Sequence, residues 1–416
     1  MPPDPESSAA ASRASLLPTR AGAVTFTLAA TLLVQAAVSA AVLAPTVAAP
    51  HLLAQLGLPK VAIGLYVAIV YFAAMLSSQW GAVLVRRWGP IRTSQCSLVL
   101  GAIGCLLVGS GELGAAMAGA VLLGLGYGPV TPASSDMLAR TTPPERQALV
   151  FSVKQTGVPL GGLLAGVLVP PLLEGGGVLL ALATISVLCL LALACAQPLR
   201  SGIDAARDAR ASLPTPARLL QPVRLVLLHP TLRGIALCTL VFSAVQVSLS
   251  SYLVTCLTAD LGWTLWWAGI ASSLAHAAGV VGRIAWGWLA DASGHARGTL
   301  VGLAIGMTLC GLLMAIPDAS TAAGWVLALL VLYGACAIGW NGVFLAMVAR
   351  LVPHDSVASA TAGCLFFTFL GVVVGPPLFG ALASLAGSLA HAFAWLALPL
   401  VVTIVLMLHG ARHQRS

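Results

Sequence analysis

The sequence predicts an all-α membrane protein with twelve transmembrane helices arranged as two related halves of six. Three observations carry that expectation. The 416-residue chain is 59% hydrophobic and only 8% charged, with a mean hydropathy of +0.99, against about 25% charged for soluble domains. It divides into twelve apolar runs, each long enough for a bilayer crossing of about 20 residues. Seventeen of its twenty basic residues then fall in segments that those runs place on one side.

Residues 1–20, rich in Pro, Ser and Ala, read as a disordered tail. The run 22–48 exceeds the 7–15-residue core of a signal peptide and reads as an uncleaved first span. Runs near 61–84, 92–110, 113–138, 148–172 and 177–197 complete a first half, 21–197. The stretch 198–231 is the longest non-apolar segment after the tail and reads as a central loop. Runs near 232–257, 265–290, 298–316, 323–349, 357–384 and 388–408 make the second half, 232–408, followed by a short tail, 409–416.

The arginines orient these spans. Arg13, Arg20, Arg86, Arg87, Arg92, Arg140, Arg146, six between Arg200 and Arg233, Arg297, Arg350, Arg412 and Arg415 share one face. Lys60 alone lies on the other, with Glu112, Glu174, Asp260 and Asp318. By the positive-inside rule, both termini and the central loop are cytoplasmic. Topology thus accounts for the net charge of +8, which removes the reason to invoke nucleic acid. The Ala/Gly/Arg-rich composition points to a bacterial inner membrane. Nine cysteines lie scattered in apolar runs without a Cys-x-x-Cys pair, so they read as packing residues rather than metal ligands or disulfides. No metal-ligand spacing or cofactor motif is present, and no cluster of catalytic groups points to an enzyme.

An internal repeat supports two halves. Gly157, Gly161 and Gly166 match Gly371, Gly375 and Gly380 at an offset of 214 residues. Ala139, Arg140, Pro143 and Glu145 match Ala349, Arg350, Pro353 and Asp355 at 210, and Gln35 with Ser39 matches Gln246 with Ser250 at 211.

The segment Gly282-Arg283-Ile-Ala-Trp286-Gly287-Trp288-Leu-Ala-Asp291-Ala-Ser-Gly294 resembles a loop signature of the major facilitator superfamily. There it lies between helices 2 and 3 and again between helices 8 and 9. The resemblance implies two six-helix halves with substrate held between them near the midplane. Gly287, Asp291, Gly294 and Arg297 occupy the signature's positions in the second half. In the first half its leading glycine falls on Ala82 and its acidic residue on Arg86, followed by Arg87 and Gly89. A symmetrical latch is therefore not expected, and Asp291 is the better candidate. The Gly/Pro segments 157–166 and 371–380 also partly resemble the fifth-helix motif of drug–proton antiporters. Val158-Pro159-Leu160-Gly161-Gly162 has one residue between Pro and Gly-Gly where that motif has two.

The candidate site residues follow from burying polar groups in apolar runs. A guanidinium within a bilayer costs roughly 2.5–3.5 kcal/mol on insertion scales, so it faces a cavity, a partner or an anion. Arg283, with Gly287 four residues on, resembles the eighth helix of monocarboxylate carriers and oxalate–formate exchangers. Carried over, it pairs with a substrate carboxylate; the alternative is that it reaches to the cytoplasmic interface or caps neighbouring carbonyls. Those families' second ionisable partner is missing, because Gly279 stands one turn earlier and no charge lies between Val357 and Ala390. Lys154 is either a second cation for the substrate or a side chain reaching for lipid headgroups. His276, seven residues before Arg283 and about 10 Å away along the helix, could carry a coupling proton, as could Asp136, whose alternative is a structural pair with Lys154 or Arg140. On the superfamily's packing, Gln35, Ser39, Tyr127, Thr131, Gln246, Ser250, Trp340 and Asn341 line the cavity.

The expected function is secondary transport of a small organic anion by a monomer working through alternating access. The alternative is proton-coupled export of hydrophobic, drug-like compounds.

Overall fold

The computed structural model describes residues 20–58, 62–208, 210, 220–317 and 321–412. The expected tail up to residue 19, Lys60, Asp318 and the last four residues lie outside them. Long apolar runs leave the backbone only one way to satisfy its N–H and C=O groups in lipid, by hydrogen bonds within each segment. The described residues accordingly fold into helices, with no β-strand among them.

The first half contains α1 (Arg20–Val47), α2 (Ala62–Trp88), α3 (Pro90–Gly109), α4 (Leu113–Tyr127), α5 (Val130–Thr141), α6 (Gln147–Gln155) and α7 (Gly157–Ala196). The second contains α8 (Pro230–Ala259), α9 (Leu265–Ser293), α10 (Ala296–Leu313), α11 (Ala323–Gly339), α12 (Asn341–Leu351), α13 (Val357–Ala386), α14 (Leu389–Trp395) and α15 (Ala397–Arg412). Among the described residues, ten stretches are long and apolar enough to cross a bilayer. One of them, Pro144–Ile203, is 60 residues long, roughly 90 Å of helix against a hydrocarbon core of about 30 Å. It doubles back at Gly177, whose φ of 75° and ψ of −172° are not helical, and so accounts for two crossings. With α9, which packs along α11 and α8, the crossings number twelve.

Three crossings are broken near their middles. The α4–α5 break precedes Pro132, the α6–α7 break precedes Pro159, and the α11–α12 break falls at Trp340. A proline has no N–H for the carbonyl four residues back, so Pro132 and Pro159 leave the carbonyls of Gly128 and Gln155 without helical partners. These breaks place backbone acceptors deep in the bundle.

The repeat glycines set two close crossings, one in each half. A Cβ on Gly161 would stand 2.5 Å from the Ala36 carbonyl oxygen and Ser39 Cβ, and one on Gly371 2.1 Å from the Leu240 carbonyl oxygen. Gly157 and Gly375 are similarly confined, by Gln35 and Ala244. The first pair joins α1 to α7 and the second joins α8 to α13, so the glycine repeat is a backbone-approach device. Gly166 faces open space. The nine cysteines are unpaired, seven of them buried. We expect Gly161→Val to destabilise the purified protein by about 1–3 kcal/mol, as overpacking does. Gly166→Ala should leave the melting temperature within a degree or two, and differential scanning fluorimetry compares them.

Candidate functional site

The buried polar centre is built around the α6–α7 break. Lys154, 1% exposed, ends α6 and points its ammonium at α1, where Nζ donates to Gln35 Oε1 at 2.7 Å. A second, longer contact reaches Gln155 Oε1 at 3.4 Å. Gln35 in turn donates from Nε2 to Ser39 Oγ at 3.1 Å, so one row on α1 holds the lysine. Both Gln35 and Ser39 are buried.

Arg283, 4% exposed, enters from α9 in the other half. Its Nε donates to the Ile338 carbonyl at 3.0 Å and one Nη to the Gln155 carbonyl at 2.5 Å. Both acceptors are helix-end carbonyls, one at the α11 terminus and one freed by Pro159. A cation there satisfies orphan C=O groups and meets the negative end of two helix dipoles. Capping of carbonyls, the alternative at the sequence level, is what the guanidinium does in this conformation. Neither Lys154 nor Arg283 forms an ion pair among the described residues; the two ion pairs found there are Asp136–Arg140 and Asp291–Arg350. Two buried cations therefore converge on Gln155 with only neutral acceptors.

The second half's counterpart lacks charge. Gln246 Oε1 accepts from Trp340 Nε1 at 3.1 Å and Asn341 Nδ2 at 3.3 Å. Tyr127 stacks edge-on with Tyr71, and both lie about 6 Å from the Phe369 ring of the opposite half. Thr131 is half-buried on α5. His276 is exposed; Nδ1 lies 2.8 Å from the Ser272 carbonyl and Nε2 3.1 Å from Ser250 Oγ. Since a carbonyl only accepts, Nδ1 is the donor to Ser272. Asp136 lies within the arginine-rich end of α5, where Arg140 Nη2 donates to Oδ1 at 3.1 Å and Nε stands 3.0 Å from Oδ2.

The signature loop ties the halves together on the arginine-rich face. Asp291 accepts from the backbone N–H groups of Ala148 at 3.1 Å and Leu149 at 2.8 Å. These are orphan donors in the first turn of α6, where a carboxylate is favoured. Arg350 Nη2 meets Asp291 Oδ1 at 2.5 Å and also donates to the Pro144 carbonyl. A Cβ on Gly287 would stand 2.4 Å from Ser152 Oγ, and one on Gly342 2.0 Å from the same atom, so α9 and α12 both close on α6. Gly294, at φ 68°, caps α9. In the first half Arg86 is exposed, and its carbonyl accepts from Asp208 N–H. Gly89 takes φ 88° beside the Asp204 carboxylate, which accepts from Ile91 and Arg92 N–H at the start of α3. Arg87 stands beside this turn. The matching contact between halves is apolar, with Ala82, Val85 and Ala133 against Ala358; beside it, Gln79 Nε2 donates to the Ala362 carbonyl at 2.9 Å.

Sequence reasoning missed Gln155, Ser152, Gln79 and the Arg350 bridge. The available signal for Gln155 was Pro159, four residues later, whose missing N–H frees that carbonyl. Arg350 was visible as one of the orienting arginines and as the repeat partner of Arg140, not as a bridge to Asp291.

The sequence matches the family described as Major Facilitator Superfamily over residues 28–362. No match was found among curated proteins. Among solved structures, the chain is similar to the transporter FucP in the outward conformation, at 16% identity and a TM-score of 0.73, covering 92% of this chain and 97% of that one. It is similar to the human organic anion transporter MFSD10, at 16% identity and 0.74, covering 94% and 100%. A bacterial homologue of the iron transporter ferroportin in an outward-facing state gives 15% identity and 0.71, covering 94% and 99%. These identities bear on the fold alone.

The loop geometry generates a test. Asp291→Asn keeps the shape but removes the charge that Arg350 and the α6 terminus share, a loss of about 1.5–3 kcal/mol for a charged hydrogen bond. Spin labels at Glu145 and His295 should then report a longer distance population, increased about tenfold relative to the parent. An unchanged distribution contradicts a closing role for Asp291.

Proposed function

The chain belongs to the Major Facilitator Superfamily and is a multi-pass membrane transporter, and from that premise we propose that its cargo is a small organic anion, a carboxylate first. The observation that carries this reading is the buried pair Lys154 and Arg283, held on neutral oxygens with no carboxylate partner. An uncompensated buried charge costs several kcal/mol, and a bound anion offsets that cost. Lys154 is the direct contact, because its ammonium stands beside Gln35 on the polar row of α1. Arg283 changes partner during the cycle. While the arginine-rich face is closed, Arg283 holds the Gln155 carbonyl across the halves. When the halves rock apart there, that acceptor leaves, and the planar guanidinium becomes available to a carboxylate.

The polar groups of Gln35, Ser39, Tyr127, Gln246 and Asn341 supply orientation. The arginine-rich face is cytoplasmic by the positive-inside rule, which puts both termini inside the cell and makes the present conformation closed to the cytoplasm. A bacterial inner membrane and a single-chain unit fit this arrangement. If transport is proton-coupled, the His276 imidazole beside Ser250 is the candidate carrier; Asp136 is committed to Arg140. The drug-export alternative loses its main support, because the Gly/Pro repeat is accounted for by helix crossings.

A panel of mono- and dicarboxylates tests the reading. A ligand at a hundred times its Kd adds about 2.7 kcal/mol to the state it binds, so one carboxylate should raise the melting temperature by several degrees. Lys154→Gln should remove that response and Arg283→Gln should weaken it at least tenfold, while Arg283→Lys retains part of it. Stabilisation by lipophilic cations alone, unaffected by Lys154→Gln, overturns the anion reading.

A further inference from the structure

Away from the centre, a groove of about 670 Å³ opens on the outer surface of the first half. Trp80, Leu84, Val99, Leu100, Leu125 and Leu193 line it with an apolar wall. Trp80 and Val99 are among the exposed large hydrophobic residues, so the groove faces lipid rather than the space between the halves. At the arginine-rich end it runs into a second hollow of about 420 Å³ bounded by Arg87, Arg92, Arg200 and Arg207. Trp88, Arg92 and Cys96 belong to both. The two hollows thus form one continuous feature with an apolar shaft and a cationic mouth at membrane-surface depth.

Four arginines bound the mouth, and two described carboxylates lie near it: Asp208, whose N–H donates to the Arg86 carbonyl, and Asp204, which acts on Arg200 and Arg207 while its two oxygens accept from Ile91 and Arg92 N–H. Burial pushes the Asp204 carboxyl above its usual range, against the opposing pull of those amides and arginines. The Arg200 Nε is buried without a hydrogen-bond partner, a donor left for an acceptor from outside the chain.

We propose that this feature is a binding site for one anionic phospholipid, with acyl chain in the Trp80–Leu193 groove and phosphate among Arg92, Arg200 and Arg207. The apolar shaft matches a hydrocarbon chain, and guanidinium groups suit a phosphodiester. A zwitterionic headgroup fits less well, because its cationic end would meet the same arginines. The site is separate from the transport site: it lies on α2, α3, α4, the end of α7 and the segment that follows it, and includes neither Lys154 nor Arg283.

Cys96, half-buried where groove and mouth join, reports occupancy. The delipidated full-length protein in neutral detergent is titrated with phosphatidylglycerol, with phosphatidylcholine of the same chains, or with glycerol 3-phosphate. Alkylation of Cys96 is followed by peptide mass spectrometry. Phosphatidylglycerol should slow alkylation at least fivefold beyond the other two, and Arg200→Gln and Arg207→Gln should each cut that protection to the phosphatidylcholine level. Arg207 is exposed, so its variant decides the matter if Arg200→Gln fails to fold. Equal protection by phosphatidylcholine, protection by glycerol 3-phosphate alone, or an undiminished response in Arg207→Gln each overturns the proposal.

Discussion

The structure turns on one backbone oxygen. Pro159 cannot donate to the Gln155 carbonyl, so α6 ends there and the carbonyl is left unsatisfied inside a bundle that admits little water. Arg283 supplies the missing donor from the opposite half and uses its Nε on the end of α11. This one side chain therefore closes two broken helices and ties the halves. The same break fixes Lys154, which as a late residue of α6 directs its ammonium to Gln35 on α1. The polar centre is built on this single interruption, and Arg283 adds its tie between the halves to those made by Asp291 and Gln79.

The halves repeat in sequence but divide the electrostatic work unequally. Lys154 corresponds to Thr368 at the glycine offset, and Arg283 corresponds to Ser78 at the offset of the signature loop. Asp291 holds the first turn of α6 electrostatically. The reciprocal contact, where Arg86 replaces the acid, is made by Ala82, Val85, Ala133 and Ala358 with Gln79 alongside. Apolar packing needs no charge to form and little to separate. The charged contacts on α6, α9 and α12 are thus the ones that a bound anion or a changed protonation state can bias.

Much of this was legible in the residues, because hydropathy, arginine placement and repeat spacing are properties of the chain itself. The expected spans fall on the observed helices, and the missing first-half aspartate is seen as an apolar contact. Arg283 shows what pattern reasoning lacks. Its depth and spacing were readable, but its partners are carbonyls 128 and 55 residues away in sequence, and a carbonyl carries no letter in the sequence. Only Pro159 hinted at one of them. Ser152 was opaque for a related reason: its importance lies in Gly287 and Gly342 both closing on it, a convergence that exists only after folding. Tyr71 and Phe369 likewise meet across the halves by tertiary packing alone.

The central claim is that the Gln155 carbonyl is available to Arg283 because residue 159 has no N–H. Pro159→Ala restores a helical donor to that carbonyl and makes the guanidinium compete for it. Hydrogen–deuterium exchange over residues 147–155 reads the consequence, since the Ala148 and Leu149 amides are protected by Asp291 while the face stays closed. The account predicts faster exchange in Pro159→Ala, at a melting temperature no lower than the parent's. Exchange indistinguishable from the parent's would contradict it and return Arg283 to a local cap with no part in holding the halves together.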